Sequence, residues 1–416
     1  MTTQGGYGYE PPVRAPRPLP VPPDLVARRR RRGNMAFTVF LSVALFLGAG
    51  VMAMVLLGAG APGALTVGVL FAALPLGPVI ACYMWLDRYE PEPLGLLGFA
   101  LGWGALVATA GALLVQVADR LALGTSEALS ALVVAPVSEE AMKGLFVLLL
   151  LVARRHEIDG VLDGLVYAGM VGVGFAFTEN ILYLANAYMG GHRLGPGGIE
   201  AATALFVVRG VFSPFAHPLF TSAIGVGVGV AVVTRSRLWR VLAPLLGYVV
   251  AVVCHALWNA SAMLDGGRLF FLTYLFAMVP AFLLFVVFAV WARYREGRML
   301  GRALTDCANR GLIGHEEVPW LVRLPGRRAA RRYARAHGGK PAARVMGEYQ
   351  QQAVELGFLH DRYLRGTAPR DFAARGTAMV HRLAELRPYT LLPPTVDRTI
   401  ETPATHPHEP HWEGGR

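Results

Sequence analysis

The stretch APVSEEAMKGLFVLLLLVA, Ala135–Ala153, decides the fold class and raises the question of function. Most of it is apolar, and with the apolar residues upstream it reaches the length of about 20 residues that a helix needs to cross a membrane. Its middle nevertheless holds Glu139, Glu140 and Lys143. A charge at the centre of a bilayer costs about 3 kcal/mol or more, so such groups normally face a bundle interior or a water-filled pocket. The stretch therefore predicts a membrane helix with an inward-facing polar surface.

The composition places the whole chain among membrane proteins. It has 416 residues, of which 54% are hydrophobic and 16% are charged, whereas soluble domains carry about 25% charged residues. We predict an all-α fold, a polytopic membrane helix bundle of about eight transmembrane helices with a small helical cytoplasmic C-terminal region. The predicted spans are residues 36–60, 62–86, 94–118, 128–153, 161–189, 201–233, 240–264 and 269–292.

Arginine placement predicts the orientation. Basic residues favour the cytoplasmic side of a membrane, and arginines are denser in the loops that share a side with both tails, so we predict a multi-pass protein of the cell membrane with both termini cytoplasmic. The basic tails are expected to meet anionic lipid headgroups, and no base-reading module suggests a nucleic-acid partner. The predicted domains are a disordered Pro- and Arg-rich tail (1–34), a membrane core (35–292), a basic helical cytoplasmic region (293–390) and a disordered tail (391–416).

Four consecutive predicted spans carry ionisable or amide side chains at a similar depth. With a rise of about 1.5 Å per residue, a key group on each span lies roughly 14 to 24 Å from the outer end of that span. Each feature alone could be a structural contact between helices, but four at one level predict a single polar chamber. The residues are Glu139, Glu140, Lys143, Glu179, Asn180, Arg209, His217, His255 and Asn259.

The spacing of the charged residues predicts local pairs. Glu140 and Lys143 are three residues apart and Glu139 and Lys143 are four apart, so the lysine can neutralise one carboxylate on its own helix. One glutamate would then be the paired structural partner and the other the working base, and the spacing leaves both assignments open. His255 and Asn259, four residues apart, lie on one helix face.

These residue types suit hydrolysis of a peptide bond inside a membrane. Carboxylates, histidines and an amide could activate a water molecule and stabilise an oxyanion. Alternatively, Glu140, His217 and His255 could hold a zinc ion with an open position for that water. No GxSxG or HExxH motif occurs in the sequence, so neither a serine hydrolase nor a zinc protease of the HExxH type is predicted.

The ordered motifs resemble those of the PrsW-type intramembrane proteases, which are grouped with the CAAX-prenyl endopeptidases and bacterial self-immunity proteins. Their EExxK motif resembles SEEAMK, their FxxxEN motif resembles FAFTEN, a histidine-bearing span follows, and their HxxxD/N motif resembles HALWN. DRYEPEP is similar to an acidic loop of that family. In this chain the motifs occupy residues 138–143, 175–180, 217, 255–259 and 87–93.

The resemblance implies a multi-pass protease that cuts substrates within or beside the membrane. The best-known role in the family is site-one cleavage of an anti-sigma factor, so the implied partner is a membrane-protein substrate. Asn259 stands where some members have aspartate, and an amide cannot act as a base. The residues carried over as catalytic are Glu139, Glu140, Lys143, Glu179, Asn180, His217, His255 and Asn259.

Two other functions compete with proteolysis. In a transporter or channel, the charges near the midplane would form an ion or proton path, normally accompanied by inverted repeats. In a non-catalytic scaffold or sensor, the fold would bind a membrane partner, and a Glu140→Gln variant would keep its function.

Overall fold

A computed structural model describes residues 24–58, 61–155, 157–191, 196–263, 268–369 and 371–393. The predicted disordered segments at 1–23 and 394–416 lie outside these residues. The first helix, α1 (Asp24–Gly58), begins inside the predicted N-terminal tail. The second helix, α2 (Pro62–Leu86), has proline in its first turn, where the fixed φ angle suits a helix start.

Several of the membrane-spanning rods, meaning continuous helical stretches, consist of α-helices joined through a π-helical turn. The third rod consists of α3 (Leu94–Gly102), the turn Trp103–Ala108 and α4 (Thr109–Leu123), and Gly124 ends it with a φ of 62°. The next rod consists of α5 (Glu127–Leu129), the turn Ser130–Val134 and α6 (Ala135–Ala153). π-Helical turns occur frequently at functional sites, and both of these rods contact the site described below.

The remaining membrane helices complete the bundle. They are α7 (Val161–Met189), then α8 (Gly198–Phe206) with the π-helical turn Val207–Phe212, then α9 (Ala216–Val233), α10 (Arg237–Met263), α11 (Arg268–Thr273) with the turn Tyr274–Met278, and α12 (Val279–Asn309). The predicted sixth span is broken at residues 213–215, which include Pro214, because proline cannot continue a regular helix.

The all-α polytopic bundle is confirmed, with one difference in the span count. Within the described residues, seven helices are long and apolar enough to cross a membrane, whereas about eight were predicted. The difference is the predicted fourth span, whose α6 is helical but contains Glu139, Glu140 and Lys143. These charges lower its apolar character, and α6 packs against α4, α7, α9 and α10.

The helix α7 lies at the centre of the bundle, and glycines make this position possible. A Cβ atom at Gly164 would lie 2.2 Å from the Gly225 carbonyl oxygen on α9, and one at Gly174 would lie 1.9 Å from the Leu101 carbonyl oxygen on α3. Small residues let membrane helices approach closely. As a result, 83% of the most apolar 18-residue stretch of α7 is buried inside the protein, against 11% of the corresponding stretch of the last span.

A helical module with its own apolar core follows the last span. It contains α13 (Val318–Val322), α14 (Leu324–Leu364) and α15 (Phe372–Leu386), and α14 is kinked at Gly339, where φ is 70°. Leu304 on α12 and Tyr349 on α14 are fully buried in this core. The helix α12 is continuous through the predicted domain boundary at 292/293, so one helix belongs to both the bundle and the module.

Candidate active site

Glu140 is completely buried, and both of its carboxylate oxygens are occupied. Lys143 Nζ donates to Oε1 over 2.7 Å, and Thr221 Oγ1 on α9 donates to Oε2 over 3.0 Å. His255 Nδ1 on α10 lies 3.0 Å from Oε1. An ionised carboxylate only accepts hydrogen bonds, so Nδ1 of His255 carries the proton and a neutral ring keeps its lone pair on Nε2.

Lys143 connects the two adjacent glutamates to a histidine. Its buried ammonium group lies 3.5 Å from Glu139 Oε2 and 3.2 Å from His217 Nδ1, in addition to its bond with Glu140. It also lies 3.7 Å from the centre of the Phe175 ring, a favourable cation–π contact. A buried charge is tolerated only when it is paired and hydrogen-bonded, and these contacts meet that requirement.

Glu139 differs from its neighbour because one of its carboxylate oxygens accepts no hydrogen bond and has only the 3.5 Å ion-pair contact with Lys143. Oε1 accepts a long hydrogen bond of 3.4 Å from Gln116 Nε2 on α4. Oε2 is buried and has no hydrogen-bond partner among the residues that the structure describes. It lies 3.7 Å from His255 Nε2, the nitrogen that carries the lone pair. Two acceptors therefore face each other across a gap that suits a bridging donor or a cation.

His217 and Glu179 form a second arm of the network. Because an ammonium group can only donate, Nδ1 of His217 accepts from Lys143, and its Nε2 donates to Glu179 Oε2 over 2.6 Å. Arg209 also binds Glu179 Oε2, and its Nε donates to Asn180 Oδ1 over 2.7 Å. The arginine thus clamps Glu179 and Asn180, the last two residues of the FAFTEN segment.

Asn259 is separate from this network. Its amide donates to the Ala131 carbonyl oxygen over 2.9 Å, within the π-helical turn that precedes α6. This bond satisfies an acceptor in the turn and ties α10 to that rod. The structure therefore brings seven of the eight predicted residues into one connected cluster and places Asn259 at its edge.

A cavity of about 480 Å³ reaches the cluster. Glu139, Glu179, Gln116 and Asn259 lie in its wall, together with the Phe175 ring. The wall continues to Arg120, Glu127, Asn186 and Met189, which lie near the ends of α4, α5 and α7. The cavity thus leads from Glu139 to the end of the bundle that includes residues 124–126, 190–191 and 196–197.

The candidate metal ligands differ from the predicted set by one glutamate. Among the described residues, Glu139, His217 and His255 can each offer a ligand atom, and these atoms lie within 4.8 Å of one another. The prediction named Glu140 in place of Glu139. The physical reason for the difference is that Glu140 is already saturated by Lys143, Thr221 and His255.

Two of the three candidate ligands are available to a cation such as zinc, and the third is engaged by other residues. Glu139 Oε2 and His255 Nε2 are free, and the other nitrogen of His255 is held by Glu140, as is usual for metal-ligating histidines. His217 has both nitrogens engaged, by Lys143 and Glu179. It would exchange one of these contacts for the metal.

Some members of the site were not predicted from the sequence. Thr221 and Gln116 are uncharged and belong to no motif, Phe175 was noted only as the first residue of FAFTEN, and Arg209 was recognised only as an intramembrane charge. The one available signal for Thr221 is its position four residues after His217, which places both on one face of α9. No spacing rule connects Gln116 with Glu139, because they lie 23 residues apart on different helices.

The chain is similar to known proteins over the region that holds this site. A family profile described as "PrsW family intramembrane metalloprotease" matches residues 92–288. The protein named Protease PrsW of Geobacillus kaustophilus is 31% identical over 161 residues, which are 38% of this chain and 65% of that protein. Protease PrsW of Bacillus subtilis is 26% identical over 231 residues, which are 55% of this chain and 94% of that protein.

The chain is similar to the PrsW family over residues 92–288, slightly less than half of its length. A third relative, Protease PrsW of Oceanobacillus iheyensis, is 31% identical over 114 residues, which are 27% of this chain and 46% of that protein. The first match spans slightly less than two thirds of its relative, and the Oceanobacillus match spans less than half. No solved structure matches the chain. All eight predicted site residues fall within the residues that match the PrsW family.

Proposed function

We propose that the chain is an intramembrane protease that hydrolyses peptide bonds of membrane-protein substrates with a buried water as nucleophile. The observation that carries this proposal is the free Oε2 of Glu139, which lies 3.7 Å from His255 Nε2 in a site reached by the cavity. An ionised carboxylate and a neutral imidazole nitrogen both accept hydrogen bonds. A water molecule between them can donate one hydrogen to each and so be oriented for attack.

Each neighbouring residue then has a defined task. Glu139 takes a proton as the water oxygen bonds to the scissile carbonyl carbon, and that proton passes to the leaving amine as the C–N bond breaks. Lys143 stabilises the carboxylate before the transfer, and Glu140 holds the His255 ring in position. Gln116 has a second amide hydrogen available for the carbonyl oxygen of the substrate.

A zinc ion is the alternative means of activating the water. Glu139, His217 and His255 would hold it, and when bound it would lower the pKa of a water and polarise the substrate carbonyl. Glu139 would then be a ligand and not the base. The family description and the donor set support this alternative.

The cavity suggests how a substrate reaches the site. With both termini cytoplasmic, as the arginine placement predicts, the end of the bundle that includes residues 124–126, 190–191 and 196–197 would face the exterior, and the cavity extends toward that end. The substrate would present an extended segment next to its own span from the outside. A single-span membrane protein such as an anti-sigma factor fits this description. The basic tails of the protease, on the cytoplasmic side, would contact anionic lipid headgroups.

Cleavage in reconstituted membranes tests the proposal. Wild type, Glu139→Gln and His255→Ala are incubated with a panel of single-span membrane proteins from the same cell, with and without a chelator. Glu200→Gln is the matched control, because Glu200 is exposed on α8. We expect wild type and the control to cut one substrate at an outer juxtamembrane position, and both site variants to lose at least 99% of the rate.

The outcomes separate the mechanisms. If the chelator abolishes cleavage and about one metal ion is bound per chain, the zinc mechanism is supported. If cleavage continues in the presence of chelator, Glu139 is supported as the base. Undiminished cleavage by Glu139→Gln would refute the proposed site. If no substrate is cut and the site variants still complement a deletion strain, the non-catalytic scaffold is the better description.

A further inference from the structure

A basic groove on the C-terminal module has no role in the proposed proteolysis. It encloses about 740 Å³ between α12 and the segment around α13. Arg298 and Arg302 contribute from α12, where a spacing of four residues places them on one face, and Arg323 contributes from the start of α14. All three side chains are exposed.

The positive charge of the groove is not compensated by the protein. In the part of the chain that the structure describes, the three arginine side chains form no ion pair and no hydrogen bond. Asp306 also lines the groove, but its carboxylate binds Arg310 Nε over 2.7 Å and His360 Nε2 over 2.5 Å. Guanidinium groups that converge without a counter-charge repel one another and concentrate anions from solution.

The groove lies close to the membrane surface. Arg293 lies over the rings of Trp85, at the end of α2, and Tyr89, in the turn that follows it, and such aromatic residues mark the membrane–water interface. Along the continuous α12, Arg298 lies about 7.5 Å beyond Arg293 and Arg302 about 13 Å beyond it, at a rise of ~1.5 Å per residue. The polar headgroup layer is about 5 to 8 Å thick on each side of a bilayer. The near end of the groove is therefore at the depth of lipid phosphates.

We propose that this groove binds the phosphate headgroup of an anionic phospholipid. Arginine presents a planar fork of donors that matches phosphate oxygens. The half-buried Val318 and Val322 on the opposite wall offer apolar surface to the glycerol backbone and the start of the acyl chains. Free phosphate shares the same chemistry, but the apolar wall and the membrane depth select the lipid. The bound lipid holds the C-terminal module against the membrane.

Lipid binding to the full-length protein in detergent micelles tests the proposal. Native mass spectrometry measures the affinity for short-chain phosphatidylglycerol, for phosphatidylcholine of the same chain length and for inorganic phosphate. The groove variant combines R298Q, R302Q and R323Q. The matched control combines R331Q, R332Q and R335Q, which removes the same charge from exposed positions of α14. We expect the groove variant to lose phosphatidylglycerol affinity at least tenfold and the control to stay within twofold of wild type.

Three results would overturn the proposal. Equal losses of affinity in both variants would show diffuse electrostatic attraction. Equal affinity for the two lipids would show that the groove does not select the anionic headgroup. Displacement of the lipid by equimolar phosphate would show a site for soluble anions. The melting temperature confirms that each variant is folded. Should the triple variant unfold, the single exposed substitution R302E carries the same test, with a loss of at least tenfold expected.

Discussion

Glu139 and Glu140 are neighbours in the sequence, but Glu140 is saturated with hydrogen bonds and Glu139 keeps a free carboxylate oxygen beside the cavity. Adjacent residues on a helix point about 100° apart, so the two carboxylates meet different helices. Glu140 faces α9 and α10, where Thr221 and His255 bind it. The proposed function therefore gives the structural role to Glu140 and the chemical role to Glu139, and the following predictions test it.

The first prediction concerns stability. Replacing Glu140 with glutamine leaves the buried Lys143 ammonium without its closest counter-charge, and breaking a buried ion pair costs about 3–5 kcal/mol. Glu139→Gln removes a longer contact of 3.5 Å and leaves the 2.7 Å pair of Lys143 with Glu140 in place, so it should cost clearly less. Thermal unfolding in detergent, followed by circular dichroism, compares the two. Equal melting temperatures for the variants would contradict the assignment of roles.

A second prediction concerns Arg209, which clamps Glu179 and Asn180 and stacks 4.1 Å from the centre of the Tyr183 ring. Lysine carries the same charge but cannot bind both residues with a planar fork. Groups that orient the residues of an active site typically contribute 10–100-fold to activity. We therefore expect Arg209→Lys to lower kcat by about tenfold with little change in KM.

Cleavage kinetics with a substrate that the panel assay identifies measure this effect. Arg237→Lys serves as the control, since Arg237 is exposed at the start of α10. If Arg209→Lys retained the kcat of wild type, a positioning role would be excluded.

A third prediction concerns pH and the contact between the C-terminal module and the bundle. Burial and the neighbouring Asp163 raise the pKa of Asp159 to about 7, although Arg362 on α14, 3.9 Å away, opposes the rise. In the folded state Asp159 thus keeps a proton that the unfolded state releases near pH 4. Its contribution to stability is greatest below about pH 4, declines as the pH rises, and levels off above about pH 7.

Hydrogen–deuterium exchange measures this effect on α14. After correction for the intrinsic exchange rate, amides near Arg362 should exchange faster at pH 8 than at pH 6. The pH dependence should be smaller in Asp159→Asn, which cannot ionise. Identical pH profiles for this variant and wild type would rule out Asp159 as the titrating group.

A fourth prediction concerns the packing of α7. A Cβ at Gly174 would lie 1.9 Å from the Leu101 carbonyl oxygen, so Gly174→Ala must push α7 away from α3. Overpacking of this kind typically costs about 1–3 kcal/mol. Gly98 on α3 has open space around it, and Gly98→Ala should stabilise the protein slightly. Melting temperatures that move in the same direction for both variants would contradict this account.

Much of the architecture could be predicted from local patterns. Apolar runs predicted the spans because a helix must satisfy its backbone groups internally in lipid. The apolar pattern is weaker at α6, where Glu139, Glu140 and Lys143 stand among the apolar residues, and it does not show that α12 continues as one helix past residue 292. Nothing in a hydropathy pattern distinguishes a helix that ends at the membrane surface from one that continues into solvent.

The sequence by itself determined the membrane class, the helices, and the pairs of residues that share a helix face, such as Glu140 with Lys143. Only the tertiary structure decided which glutamate is free, because the groups that saturate Glu140 come from residues 81 and 115 positions away. Helical periodicity relates side chains within one helix. It does not specify the rotation of one helix against the next, and that rotation depends on close contacts such as those of Gly164 and Gly174 on α7.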